Sequence, residues 1–236
     1  MAIALAHAWK ARNTTGATEG YVQVYGVTDP FENGVPIVAM VILQSATADV
    51  TAVRSKNGAA GYDTFTSAGA IQRISITGAT MGVRFFYLTA PDDFGGGDGS
   101  YLRVVVDTSC NFVLAAAQFT GMDTAAMVDA VTVVASSTGT TLSVNLTTAT
   151  ANAMIIAYGQ TEASPGPTAH ADYTAITIPE LGYNDGQFDV DAGAAGLRAV
   201  SMTCNDGTWG IAAMSFKAEG APVTAIPVFM YHYMNH

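Results

Sequence analysis

Apolar stretches recur at short intervals along the chain, separated by Gly, Asn, Asp, Pro or Ser, and no segment carries the 3.6-residue spacing of an amphipathic helix. The pattern predicts strands at residues 3–9, 21–27, 37–43, 50–54, 71–76, 83–88, 101–106, 112–119 and 128–134. A later set is predicted at 142–146, 153–158, 173–176, 188–190, 197–202, 209–216 and 228–233. Many short strands between turn residues point to an all-β sandwich or barrel.

The strands are of two kinds. In Tyr101-Leu102-Arg103-Val104-Val105-Val106, the residues Leu102, Val104 and Val106 share one face and the arginine lies on the other. By contrast, Val35-Pro36-Ile37-Val38-Ala39-Met40-Val41-Ile42-Leu43 and Ala153-Met154-Ile155-Ile156-Ala157-Tyr158 are apolar throughout, which calls for cover on both faces. There is also an internal echo. Ser109-Cys110-Asn111 leads into Phe112-Val113-Leu114-Ala115-Ala116-Ala117-Gln118-Phe119, and Thr203-Cys204-Asn205 leads into Trp209-Gly210-Ile211-Ala212-Ala213-Met214-Ser215-Phe216. Two equivalent strands of a two-sheet fold would account for it.

Composition narrows the picture. Half of the 236 residues are hydrophobic and only 12% are charged, with Thr, Ser and Gly filling the polar positions that helices give to Glu, Lys and Arg. Nine basic against 19 acidic residues give a net charge of −10, which disfavours direct nucleic-acid binding and anionic membrane surfaces. No stretch approaches the roughly 20 apolar residues needed to span a bilayer. The N-terminal apolar run has no basic segment before it, so it reads as a first strand and not as a secretory signal. Cys110 and Cys204 form no CxxC motif and read as free, buried thiols, with a pairing across the fold as the alternative.

Ala218-Glu219-Gly220-Ala221-Pro222 through Pro227 reads as an exit from the domain, because paired prolines favour extended backbone and withhold ladder hydrogen bonds. The aromatic terminus that follows, with Phe229, Met230, Tyr231, Tyr233 and Met234, is expected to be buried as an extended arm, on its own domain or on a neighbouring subunit.

Five segments in this order carry a resemblance: Val50-Thr51-Ala52-Val53 with Asn57-Gly58, Phe86-Tyr87-Leu88-Thr89-Ala90-Pro91, Tyr101 through Val106, Phe119-Thr120-Gly121-Met122-Asp123, and Trp209 through Lys217. The sequence resembles the β-sandwich, jelly-roll-like domains of tailed-phage structural proteins and bacterial extracellular proteins. The resemblance implies a two-sheet antiparallel sandwich over residues 1–218; the C-terminal extended arm over 219–236 lies outside it and rests on the proline and aromatic pattern alone. The resemblance also implies a packing unit with no catalytic residues, placed in a virion with other virion proteins and copies of itself as partners.

Candidate chemistry is sparse. His7, His170, His232 and His236 stand in no catalytic motif, and no GxSxG occurs, so no catalytic residue is assigned. The loop Asp92-Asp93-Phe94-Gly95-Gly96-Gly97-Asp98 offers Asp92, Asp93 and Asp98 as calcium ligands, against a solvated hairpin turn; no other cofactor is implied. Asp189 and Asp191 are expected to share a strand face. The segment 160–173, with His170, is the loop most suited to a ligand, and the loop aromatics Tyr62, Phe94, Tyr173 and Tyr183 are candidates for stacking on sugars. Two functions follow as expectations: a virion decoration, cement or tail-associated protein assembling through apolar surfaces, strand edges and the arm, or a carbohydrate- or receptor-binding module for a host-surface glycan.

Overall fold

The computed structural model describes residues 2–23, 32, 34–56, 61–91, 101–176 and 183–220, and residues 7–15, 21–23 and 183 by backbone alone. The first half of the chain forms β1 (Ala4–Gln23), β2 (Ile37–Gln44), β3 (Val50–Lys56), β4 (Tyr62–Thr64), β5 (Thr66–Ser67), β6 (Gln72–Ile76), β7 (Ala79–Leu88) and β8 (Tyr101–Thr120). The second forms β9 (Val128–Thr148), β10 (Met154–Thr161), β11 (Thr168–Ala169), β12 (Thr174–Ile176), β13 (Tyr183–Asp189) and β14 (Gly196–Phe216). The chain is all-β, and two antiparallel sheets pack together as a sandwich. The arm residues Phe229, Met230, Tyr231, Tyr233 and Met234, and the strand predicted at 228–233, lie outside the described residues.

Four pairs of predicted strands are single long strands. Of the predicted strands 3–9 and 21–27, residues 4–9 and 21–23 fall in β1, with 24–27 outside the described residues; 101–106 and 112–119 fall in β8, 128–134 and 142–146 in β9, and 197–202 and 209–216 in β14. The turn-like residues between each pair mark irregularities inside a continuous strand. The β1–β8 register shifts around Ala17, beside Gly16 at φ 61°, and the β9–β14 register shifts between Thr203 and Gly207, beside Gly139 at φ 120°. A positive φ at each point suits glycine and lets the strand turn without ending.

The two sheets are built on one plan. β8 and β14 are the long strands; β1 and β9 run along one edge of each, and β2 and β10 pair with the C-terminal half of the other edge. β3 and β11 pair with its N-terminal half, β7 and β13 pair with β2 and β10, and β5 and β12 follow outside those. The order along the chain is the same in both halves, with β4 and β6 as additions in the first. The registers agree in detail: Ala39 faces Ala116 as Ala157 faces Ala213, and the edge strands are irregular opposite Gln118–Phe119 and again opposite Ser215–Phe216. The sequence echo around Cys110 and Cys204 is thus the trace of two equivalent strands.

This plan explains the apolar runs. Val38, Met40 and Ile42 of β2 meet Ile156 and Tyr158 of β10, together with Phe119, Met214 and Phe216, in the core between the sheets. The alternate residues Ile37, Ala39, Val41 and Leu43 face outward, yet each is wholly buried. Their cover is their own sheet, because Leu102, Val104 and Val106 from the first half of β8 and Val50 and Val53 of β3 pack into the same cluster. Arg73 and Arg84 fasten that layer: Arg73 Nη1 donates to the Ser45 carbonyl at 2.7 Å, and Arg84 Nη1 to Asp49 at 2.9 Å. In the second half, Ile155, Ala157, Ile211 and Ala213 are covered in the same way by Leu142, Val144, Val200 and Met202. Each fully buried Ile, Val, Leu, Met or Phe contributes about 1.5–3 kcal/mol.

The halves are joined beyond the central core. Asp123 N donates to the Lys217 carbonyl at 3.0 Å, Lys217 N donates to the Met127 carbonyl at 2.7 Å, and Thr77 N reaches Thr208 Oγ1 at 2.8 Å. Cys110 sits in the outer cluster of the first half and Cys204 against that of the second, so the two thiols lie on opposite sides of the central core and are free. Burial raises the pKa of both.

Candidate functional site

Two surface features gather the chemically capable side chains, one in each half. The first is a groove of about 280 Å³ in the second half, lined by Ile155, His170, Asp172, Tyr173, Asp189 and Arg198 among others. That volume lies at the lower limit of the roughly 300–1,000 Å³ typical of ligand pockets.

The segment 168–173 is held in place from beneath. Gln187 of β13 is wholly buried; its Oε1 accepts from His170 N at 2.8 Å while its Nε2 donates to the Ser201 carbonyl of β14 at 3.0 Å. Tyr173 N then donates to the His170 carbonyl at 2.9 Å, closing a tight turn. The His170 and Tyr173 rings meet edge to face, with centroids 6.3 Å apart at 89°. Tyr173 packs its body on the outer core, and burial, reinforced by the Asp189 carboxylate, pushes its hydroxyl up to about 12.

Charged groups ring the groove. The Asp172 carboxylate lies 3.4 Å from His170 Nδ1, Arg198 donates to the Ala194 carbonyl, and Leu197 stands two-thirds exposed beside it. Asp189 and Asp191 do not share a strand face as expected. β13 ends at Asp189, whose Oδ1 accepts from Asp191 N at 3.0 Å, and Asp191 in turn accepts from Gly193 N at 2.9 Å. The strand stops there because each aspartate folds back on its local backbone to make a turn.

The structure therefore brings His170 and Tyr173 together. Tyr183 opens β13 opposite Thr161, six residues from Asp189 along the strand, so its backbone lies about 20 Å away by strand rise. Asp92, Asp93, Asp98 and Phe94 lie outside the described residues. Among the described residues no group of three or more His, Cys, Asp and Glu converges as a metal site.

The second feature is a platform on the outer layer of the first half. Across β8, β3 and β4 the register places Arg103 opposite Arg54 and Arg54 opposite Thr64, with Tyr101, Lys56 and Tyr62 forming the next row. Tyr62 and Tyr101 share a hydrogen bond at 2.8 Å, and Lys56 Nζ lies 6.0 and 5.6 Å from their ring centroids. That hydrogen bond, with the Lys56 and Arg103 charges, holds the Tyr62 hydroxyl below the ordinary tyrosine range. Arg103 is paired with Glu19 at the end of β1. Two arginines directly opposite one another weaken a strand pair, and the Glu19 carboxylate offsets that opposition. The sequence shows Lys and Arg at alternate positions 54 and 56, but only the long-range pairing of β3 with β8 adds Tyr101 and Arg103 to them.

Comparison with known proteins finds no family model that matches the chain and no similar curated protein.

Proposed function

We propose that the chain is a non-enzymatic virion structural protein, a capsid decoration or tail-associated component that assembles in multiple copies. The observation that carries this reading is the free edge of β9. Among the described residues this 21-residue strand pairs with β14 alone. Between 128 and 148 it holds no Pro, Lys or Arg and only one charge, Asp129. That carboxylate is engaged inward, accepting from Ser215 Oγ at 2.9 Å and Thr150 N at 2.8 Å. Val131 stands two-thirds exposed. Soluble proteins blunt long edges with charge, Pro or cover, because bare backbone donors and acceptors template pairing with another chain. An unblunted edge is suited to adding a strand from a neighbour. The resemblance in motif order supplies the virion setting.

The groove favours a second reading, a carbohydrate- or receptor-binding module. An aromatic pair beside carboxylates and a guanidinium suits a sugar ring, which presents both apolar faces and hydroxyls.

Light scattering on the full chain, on Val131→Lys and on a chain ending at Lys217 separates the readings. A multimer that dissociates in either variant supports assembly through the edge or the arm. A monomer in all three forms, combined with glycan binding lost in Tyr173→Ala, supports the second reading instead.

A further inference from the structure

The two halves differ in charge as well as in detail. Residues 1–120 carry seven Lys and Arg against nine Asp and Glu, whereas residues 121–236 carry two against ten. The platform gathers three of the nine basic residues, Arg54, Lys56 and Arg103, on the outer layer of the first half, with Glu19 paired to Arg103. The groove, lined by Asp172 and Asp189 together with His170 and Arg198, and with Asp191 bonded to Asp189 beside it, lies on the outer layer of the second. The three apolar clusters stack in sequence, outer, central and outer, so these layers are the opposite faces of the sandwich.

We propose that successive copies of this chain stack head to tail, the Arg54–Lys56–Arg103 platform of one copy seated on the Asp172–Asp189–Asp191 face of the next. This goes beyond assembly through β9: it is a second, electrostatic contact, and it rests on the multi-copy reading. The contact is heterologous. It joins two different surfaces on opposite sides of the molecule, so it builds an open rod unless rotation between copies closes a ring. Glu19 already pairs with Arg103, so a neighbour's carboxylates chiefly meet Arg54 and Lys56. The platform tyrosines and the exposed Leu197 supply apolar area at either surface. Within the rod, β9 edges of stacked copies are left at the side, available for lateral pairing.

The test uses two charge-reversal variants of the full chain, Arg54→Glu with Lys56→Glu, and Asp172→Lys with Asp191→Lys. Sedimentation velocity is run at low and high ionic strength. Stacking requires that the wild-type chain associate at low salt and dissociate as salt rises, because charge contacts near the surface are screened within a Debye length. Each variant alone is expected to associate at least about a hundredfold more weakly, since like charges then face one another. A mixture of the two variants is expected to recover association, because each presents the surface complementary to the other. This recovery also excludes misfolding as the cause of the single-variant losses. A multimer indifferent to salt and to both reversals, but broken by Val131→Lys, overturns stacking and leaves assembly through β9 standing. A chain that is monomeric under every condition overturns both. Retention of a monomeric chain on a sulfated polysaccharide through the platform overturns stacking in favour of an acidic glycan as the occupant.

Discussion

β1 and β9 occupy the same place in the two halves, each the outermost strand beside a long partner, yet their sequences are not alike. β1 carries Lys10, Arg12 and Glu19, while β9 carries Asp129 alone and turns that charge inward. β2 and β10 differ in the same spirit. β2 is apolar from Ile37 to Leu43, whereas β10 ends in Gln160 and Thr161 and buries Tyr158 with a polar network: Tyr158 donates to Gln160, and Asn184 Nδ2 donates to Tyr158 at 3.4 Å. One plan has therefore been used twice, with the apolar core kept common to both halves. Charge and polarity are where they diverge, and those properties decide what each half offers to a partner.

Phe119→Ala and Phe216→Ala remove equivalent side chains from the shared core, and each is expected to cost about 3–5 kcal/mol in denaturant unfolding. Unequal losses would show that one half carries the fold and the other follows it. The polar network separates the halves next. Tyr158→Phe leaves Gln160 and Asn184 short of a partner and is expected to cost about 1–3 kcal/mol. The substitution at the equivalent β2 position, Met40→Leu, conserves volume and is expected to cost less than about 1.5 kcal/mol.

The two mid-strand glycines offer a finer contrast. Gly16 lies at φ 61°, in the left-handed region that other residues enter at a cost of about 1–2 kcal/mol. Gly139 lies at φ 120°, which side chains adopt only under greater strain, so Gly139→Ala is expected to lose more in thermal melting than Gly16→Ala.

Alkaline titration adds a pH axis on which the two buried tyrosines of the second half bear. Burial raises the pKa of both Tyr158 and Tyr173 above the ordinary value of 10.0, that of Tyr173 to about 12. Because the folded state holds these protons more tightly than the unfolded chain, their contribution is complete below pH 10 and is lost as pH rises through the folded values. Stability followed by circular dichroism is expected to fall from about pH 10 upward, and less steeply in Tyr158→Phe. The smallest stability effect is expected at the edge: Val131→Lys should change unfolding by no more than about 0.5 kcal/mol, while weakening association.

Much of this was legible in the sequence, for identifiable reasons. Uninterrupted apolar runs at 37–43 and 153–158 required cover on both faces, and they have it. The paired Cys-Asn segments marked equivalent strands, because a repeated register preserves small residues where backbones approach. His170 and Tyr173 were readable as a loop pair close in sequence. Less visible was continuity: Gly16, Asp107, Gly139 and Asp206 look like turns, but here they sit where a strand bends from one layer into the next. The platform depends on a pairing between residues about fifty positions apart, Arg54 with Arg103, which local periodicity does not reveal. Asp189 and Asp191 misled for the opposite reason, since short polar side chains that bond their own backbone end a strand that alternation alone would continue.

The proposed assembly can be tested most directly by hydrogen–deuterium exchange of the full chain at low and high protein concentration, comparing β9 with β1. If copies add through the free edge of β9, amides in that strand gain protection as concentration rises while those of β1 do not. Exchange in β9 that is independent of concentration, or protection gained in β1 instead, would contradict it.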